Sequence, residues 1–182
     1  MYAVVLSQVF FLSIGLAFAS ISRADIPLSR PSIDDLYIIG IASLSSIFVL
    51  VGGGMAQSFL GLSPASEVHT QESGSILIGF WAVSLFLAPL AEELLFRGAI
   101  QGGLRSRTGP IVSIIGASSV FGAVHLLNFS GTLPEVLSAT ILVSLVSVPF
   151  AVSYEITDNL AVPIASHTLY NSIIFATVYS AL

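Results

Sequence analysis

The 182-residue sequence contains no cysteine and no lysine, and only 8% of its residues are charged. Without cysteine it has no disulfide framework, no thiolate metal site and no thiol nucleophile. Without lysine, and with five arginines against ten carboxylates for a net charge of −5, it lacks the clustered basic surface that a nucleic-acid partner requires. The shortage of charge argues against a water-soluble domain, in which about 25% of residues are charged. The long apolar runs lack period-two alternation, which argues against sheet, including a membrane barrel. No internal repeat is visible, so the inverted halves common in secondary transporters gain no support.

What the chain has instead is hydrophobicity: 55% of residues are apolar and the mean hydropathy is +0.98. Six apolar runs can be read along it, Tyr2–Ile21, Leu36–Leu62, Gly74–Leu104, Pro110–Phe129, Leu137–Ile156 and Leu160–Leu182. At about 20 residues per crossing this predicts an all-α fold, a polytopic membrane helix bundle of about six transmembrane helices in the lipid bilayer. Polar stretches with Pro27 and Pro31, and with Glu67, His69 and Glu72, separate the first three runs. Pro89 is expected to kink the third. Arg23, Arg30, Arg97, Arg105 and Arg107 fall at the first and third connections or on the helix leading into the third. Those connections are therefore expected in the cytoplasm of a multi-pass cell-membrane protein, with both termini outside. Ala17-Phe18-Ala19 has the form of a cleavage site, but no basic residue precedes its apolar run as in a signal peptide.

Against this background the polar residues at membrane depth call for a functional reason, because charge placed there is costly and normally faces a protein interior or a wet cavity. Glu92 and Glu93 lie within the run Leu85–Phe96. Glu93 and Arg97 are four apart with the acid on the N-terminal side, the favourable order for an ion pair on one helical face. Glu92 lies about 140° around from Arg97 and is left for chemistry, as a general base. His125 follows Phe121 by four on the fourth run, and His167 precedes Asn171 by four on the sixth, so each pair shares a face. Imidazole transfers protons near neutral pH, and an asparagine amide can donate to an oxyanion.

Taken in order, Glu-Glu-x-x-x-Arg at Glu92–Arg97, Phe-x-x-x-His at Phe121–His125 and His-x-x-x-Asn at His167–Asn171 resemble the CAAX prenyl protease and bacteriocin-processing family of intramembrane proteases. The flanking residues Ala-Glu-Glu-Leu-Leu-Phe-Arg-Gly and Phe-Gly-Ala-Val-His-Leu-Leu-Asn are similar to that family too. The resemblance covers 74–182 and implies a catalytic helical core there, with its cavity between helices 3, 4 and 6. Residues 1–73 would add two packing helices. It implies an intramembrane endopeptidase in which Glu92, assisted by His125, activates water, and His167 and Asn171 hold the oxyanion. Glu93, Arg97 and Phe121 would support them, and the motifs would open toward the cytoplasm. The partner would be a peptide or lipidated protein, prenylated or otherwise membrane-associated.

The same side chains fit two versions of that chemistry, a metal-free glutamate mechanism and a zinc site with Glu92, His125 and His167 as ligands and water in the fourth position. The rival classes are a non-catalytic scaffold or immunity-type protein, which needs no complete set of acid, His and Asn, and a proton-coupled carrier, which needs a continuous polar path. Among the other polar residues, His69 reads as solvated, Glu155 and Asp158 as caps for the last helix, and Asn128 as an orienting partner for His125. One geometric difficulty stands out. Counted from the arginine-bearing side, His125 lies about 15 residues into its helix and His167 about seven, a depth difference of about 12 Å. Tilt, a kink at Pro163 or a re-entrant start at Gly109 and Pro110 would have to absorb it.

Overall fold

The computed structural model describes residues 2–22, 26–67, 79 and 81–180; His69 and Glu72 lie outside them. Within these residues the chain forms six helices: α1 (Tyr2–Ser22), α2 (Ile33–Phe59), α3 (81–105), α4 (Pro110–His125), α5 (Leu133–Thr157) and α6 (Ala161–Ser180). By length and composition α2, α5 and the stretch Pro110–Asn128 can each cross a bilayer, as an integral membrane protein requires. On the described residues the expected six crossings stand on these three by that measure.

Two helices begin earlier than their apolar runs, for the same reason. Ser32 caps α2, its hydroxyl accepting from the Asp35 N–H while the Asp35 carboxylate accepts from the Ser32 N–H. Thr132 and Glu135 form the equivalent box at the start of α5. Each box satisfies amide groups that the first turn otherwise leaves without partners, so a polar first turn joins the helix. At its other end α2 stops at Gly61, whose φ of 72° lets the Leu62 N–H return to the Gln57 carbonyl and the Gly61 N–H to Ser58.

The expected kink at Pro89 takes the form of a change in helical register. The α-helical stretch Ala88–Glu93 is bracketed by π-helical segments, Val83–Leu87 and Leu94–Gln101. Pro89 has no N–H and its ring crowds the preceding turn, and a widened turn relieves both. The Ala88 N–H reaches back five residues to the Val83 carbonyl. In that register residue 89 would serve Ser84, and Pro89 cannot.

Helix α5 sits centrally, packed on α2, α4 and α6, while α1 lies against α3, which also contacts α4 and α6. Serine hydroxyls join α2 to its neighbours: Ser43 donates to the carbonyls of Ile39 and Ser166, and Ser46 to that of Val146. Small hydroxylated residues allow helices to approach closely in an apolar medium. One short antiparallel ladder, Ser66 with Ser130 and Glu67 with Phe129, departs from the sheet-free expectation and ties the connection after α2 to the one after α4. At the opposite end Arg105 pairs with Glu155 at 2.7 Å, and the Leu160 N–H donates to Pro27 O at 2.7 Å. Glu155 and Asp158 do not cap α6 as expected. Glu155 is held by Arg105, and Asp158 adopts the left-handed conformation that ends α5. The capping acceptor is Asn159 Oδ1, which accepts from Ala161 N–H and from Ser29 N–H.

Helix α4 packs tightly on α5 at Gly122. A Cβ there would run into Ser144 Oγ and come within 2.6 Å of the Thr140 carbonyl oxygen on α5, whereas one at Gly52 would meet nothing within 4 Å. Gly122→Ala is therefore expected to destabilise the protein by about 1–3 kcal/mol, the usual cost of overpacking. Gly52→Ala should melt like the parent; thermal unfolding of both in detergent checks the contrast.

Candidate active site

Helix α3 brings two carboxylates into the interior, Glu92 at 4% exposure and Glu93 at 0%. Glu93 is fully engaged. Its Oε2 accepts from Arg97 Nε at 2.8 Å, the i,i+4 pair expected from spacing, and its Oε1 lies 2.9 Å from His167 Nδ1 on α6. Arg97 is itself wholly buried; a second nitrogen donates to the Ser147 carbonyl at 3.1 Å, and the guanidinium carbon stands 5.5 Å from the centre of the Phe121 ring. Glu93 thus links α3 to α6, while Arg97 links α3 to α5.

Glu92 is not left unpartnered, as its distance from Arg97 suggested. Gln8 Nε2 of α1 donates to its Oε1 at 2.8 Å, and His167 Nε2 stands 4.0 Å from its Oε2. His125 ends α4 with Nδ1 2.7 Å from the Phe121 carbonyl oxygen. A carbonyl only accepts, so that bond assigns the proton to Nδ1 and leaves the Nε2 lone pair for other work. The orienting partner of His125 is thus its own helix, rather than Asn128, which lies in the following 3₁₀ turn. Asn171 Nδ2 donates to the Ser84 carbonyl at 2.8 Å, the acceptor that Pro89 cannot serve in the widened register.

Aromatic rings pack the imidazoles. Phe121 stacks on His125 at 4.5 Å between centroids and meets His167 edge-on at 6.1 Å, while Phe150 stacks on His167 at 4.9 Å. Phe121, one turn before His125, thus contacts both histidine rings. Pro163 lies in the first turn of α6 and Pro110 opens α4, positions where proline is tolerated without a kink.

Glu92, Phe121, His125, His167 and Asn171 all line one cavity of about 830 Å³, together with Gln8, Ser84 and Tyr170. Its walls draw on all six helices, more than the expected third, fourth and sixth. Gln8, Phe150, Ser84 and Ser147 had no signal in the sequence; each is a single residue distant in sequence from the motif it contacts. Glu92, His125 and His167 share the cavity, but among the described residues no group of three or more His, Asp or Glu side chains is gathered so as to hold a metal ion. One nitrogen of each imidazole is directed to a protein acceptor and one Glu92 oxygen to Gln8. Those contacts leave His125 Nε2, His167 Nε2 and Glu92 Oε2 as the atoms that would hold a zinc ion, which would activate a bound water there; no step below runs through a metal.

The cavity also has a direction. Leu50, Gln57 and Pro64 from the end of α2, and Leu127, Asn128 and Phe129 beyond α4, line it. Arg30, Arg105 and Arg107 belong to the opposite end, where Arg105 meets Glu155 and Ser29 meets Asn159. The lining from Leu127, Asn128 and Pro64 and the Arg105–Glu155 pair thus lie toward opposite ends of the bundle.

The buried Glu93–Arg97 pair generates a prediction. Arg97→Ala leaves Glu93 as a buried carboxylate without its cation, a change that typically costs about 3–5 kcal/mol. The variant is expected to lose thermal stability and function together, with melting temperature in detergent as the check.

The family profile described as type II CAAX prenyl endopeptidase, Rce1-like, matches residues 74–173, more than half of the chain and the whole span from Glu92 to Asn171. No curated protein and no solved structure matches.

Proposed function

The chain belongs to the Rce1-like type II CAAX prenyl endopeptidase family, and from that premise we propose that it is an intramembrane endopeptidase with Glu92 as its base. The observation that carries this reading is the meeting of Glu92, His125, His167 and Asn171, from three helices, on one cavity. A water beside Glu92 Oε2 gives its proton to that oxygen as its own oxygen attacks the scissile carbonyl. His125 Nε2, kept as a lone pair by the Nδ1 bond to Phe121, accepts a hydrogen bond from the same water, then takes the proton from Glu92 and gives it to the leaving amine as the C–N bond breaks, returning Glu92 to carboxylate. Asn171, fixed through Ser84, and His167, fixed through Glu93, donate to the oxyanion. Because His167 Nδ1 faces a carboxylate that Arg97 also holds, donation from Nε2 requires protons on both ring nitrogens.

Residues 74–182 form the catalytic core in this reading, with α1 and α2 completing the cavity walls. The substrate is a peptide of a membrane-associated protein, prenylated or otherwise lipid-anchored, reaching Glu92 from the end of the bundle that carries Leu127 and Pro64. The arginine bias places the other end in the cytoplasm, so the cavity opens to the outer face.

Glu92→Gln is expected to abolish hydrolysis of a fluorogenic farnesylated CAAX-type peptide in proteoliposomes while melting like the parent; full activity in that variant removes the mechanism. Exhaustive chelation is expected to leave parental activity intact, and its loss with recovery on zinc addition would establish the metal version. The cysteine-free chain is a ready background for topology. Ser63→Cys should react with a membrane-impermeant maleimide on intact cells and Ser106→Cys only after lysis; the reverse pattern places the cavity mouth in the cytoplasm.

A further inference from the structure

Helix α1 lies outside the span that matches the family, and apart from serines and Tyr2 it has one polar side chain, Gln8. Its neighbours Val9 and Phe10 are exposed, whereas Gln8 is 6% exposed and lines the cavity. Packing puts it there. Phe11 meets the Phe96 ring edge-on at 5.9 Å, Leu12 joins the cluster of Leu94, Tyr154 and Leu160, and a Cβ on Gly15 would stand 3.0 Å from Leu94 Cγ. One face of α1 thus fits against the turn of α3 that follows the carboxylates, and its next turn toward the N-terminus carries the amide to Glu92.

Gln8 Nε2 donates to Glu92 Oε1, while Gln8 Oε1 is buried and accepts from no donor among the described residues. A hydrogen bond to one carboxylate oxygen fixes the torsion of the group and distinguishes its two oxygens. The oxygen left over, Oε2, is the one directed toward His167 Nε2 at 4.0 Å.

We propose that Gln8 is a positioning residue for Glu92: its amide N–H pins one carboxylate oxygen so that the other faces the reacting water. This inference rests on the assignment of Glu92 as base. It makes the first helix part of the hydrolytic site as well as of the packing around it.

The test measures kcat and KM for the farnesylated CAAX-type peptide in proteoliposomes with four full-length variants. Gln8→Met fills the same space without a donor. It is expected to lower kcat by about 10- to 100-fold, the range for a lost hydrogen bond to a charged group, with KM and melting temperature close to the parent. Leu12→Ala loosens the same helix without touching Glu92 and should keep kcat. Gln8→Glu should regain activity only at low pH, because a carboxyl donates to Glu92 only when protonated; the groups around it are Glu92 and His167, with Glu93 behind. Parental kcat in Gln8→Met, an equal fall in Leu12→Ala, or a parental pH profile in Gln8→Glu overturns the inference. Glu92→Gln separates the two levels. If it is inactive, those results refute the role of Gln8 alone, and if it is active the base assignment fails and this inference with it.

Discussion

The buried Glu93 carboxylate is the constraint from which both fold and site follow. It accepts from Arg97 along its own helix and pairs with His167 across the interior, with all three side chains withdrawn from solvent. In an ion pair this deep desolvation offsets much of the attraction, while removal of one partner strands the other. The pair fixes how α3 and α6 meet. Arg97 adds α5 through Ser147 and the α4 ring of Phe121 through its guanidinium face. Four helices are thereby registered against one charge cluster.

That registration also sets the surroundings of Glu92, the base in the function we propose. With Glu93 committed to structure, its neighbour Glu92 faces the cavity, and His167 presents its second nitrogen toward Glu92 because its first is held by Glu93. The two adjacent acids divide the work: one is saturated by a cation and an imidazole, the other is met by a neutral amide. Asn171 is placed by a different device. Pro89 removes a backbone donor, the helix widens around it, and the carbonyl of Ser84 takes the side-chain amide of α6 instead. An apparent defect in α3 is thus used as an attachment point for the site.

Much of this was legible in the sequence wherever the determinant is local. The Glu93–Arg97 pair follows from spacing alone, and Phe121–His125 and His167–Asn171 were readable as same-face pairs. Helix starts were less legible, because a capping box recruits polar residues that hydropathy assigns to the loop, as at Ser32 and Thr132. Glu155 and Asp158 looked like caps by charge, but Asn159 won by position, since a short amide reaches the first amide groups of α6 while Glu155 is drawn to Arg105. Gln8 was not legible: an isolated amide in an apolar helix gives no indication of a partner 84 residues away. The direction of the cavity was likewise hidden, because it depends on which ends of six helices line one space.

The central claim is that Glu92 and His125 act on the same water. The measurement that tests it most directly is a double-mutant comparison of kcat for Glu92→Gln, His125→Ala and the combined variant on one peptide. Groups that act as a unit are strongly non-additive, so the combined variant is predicted to be no slower than Glu92→Gln alone. Losses that multiply would show two independent contributions and contradict a shared step.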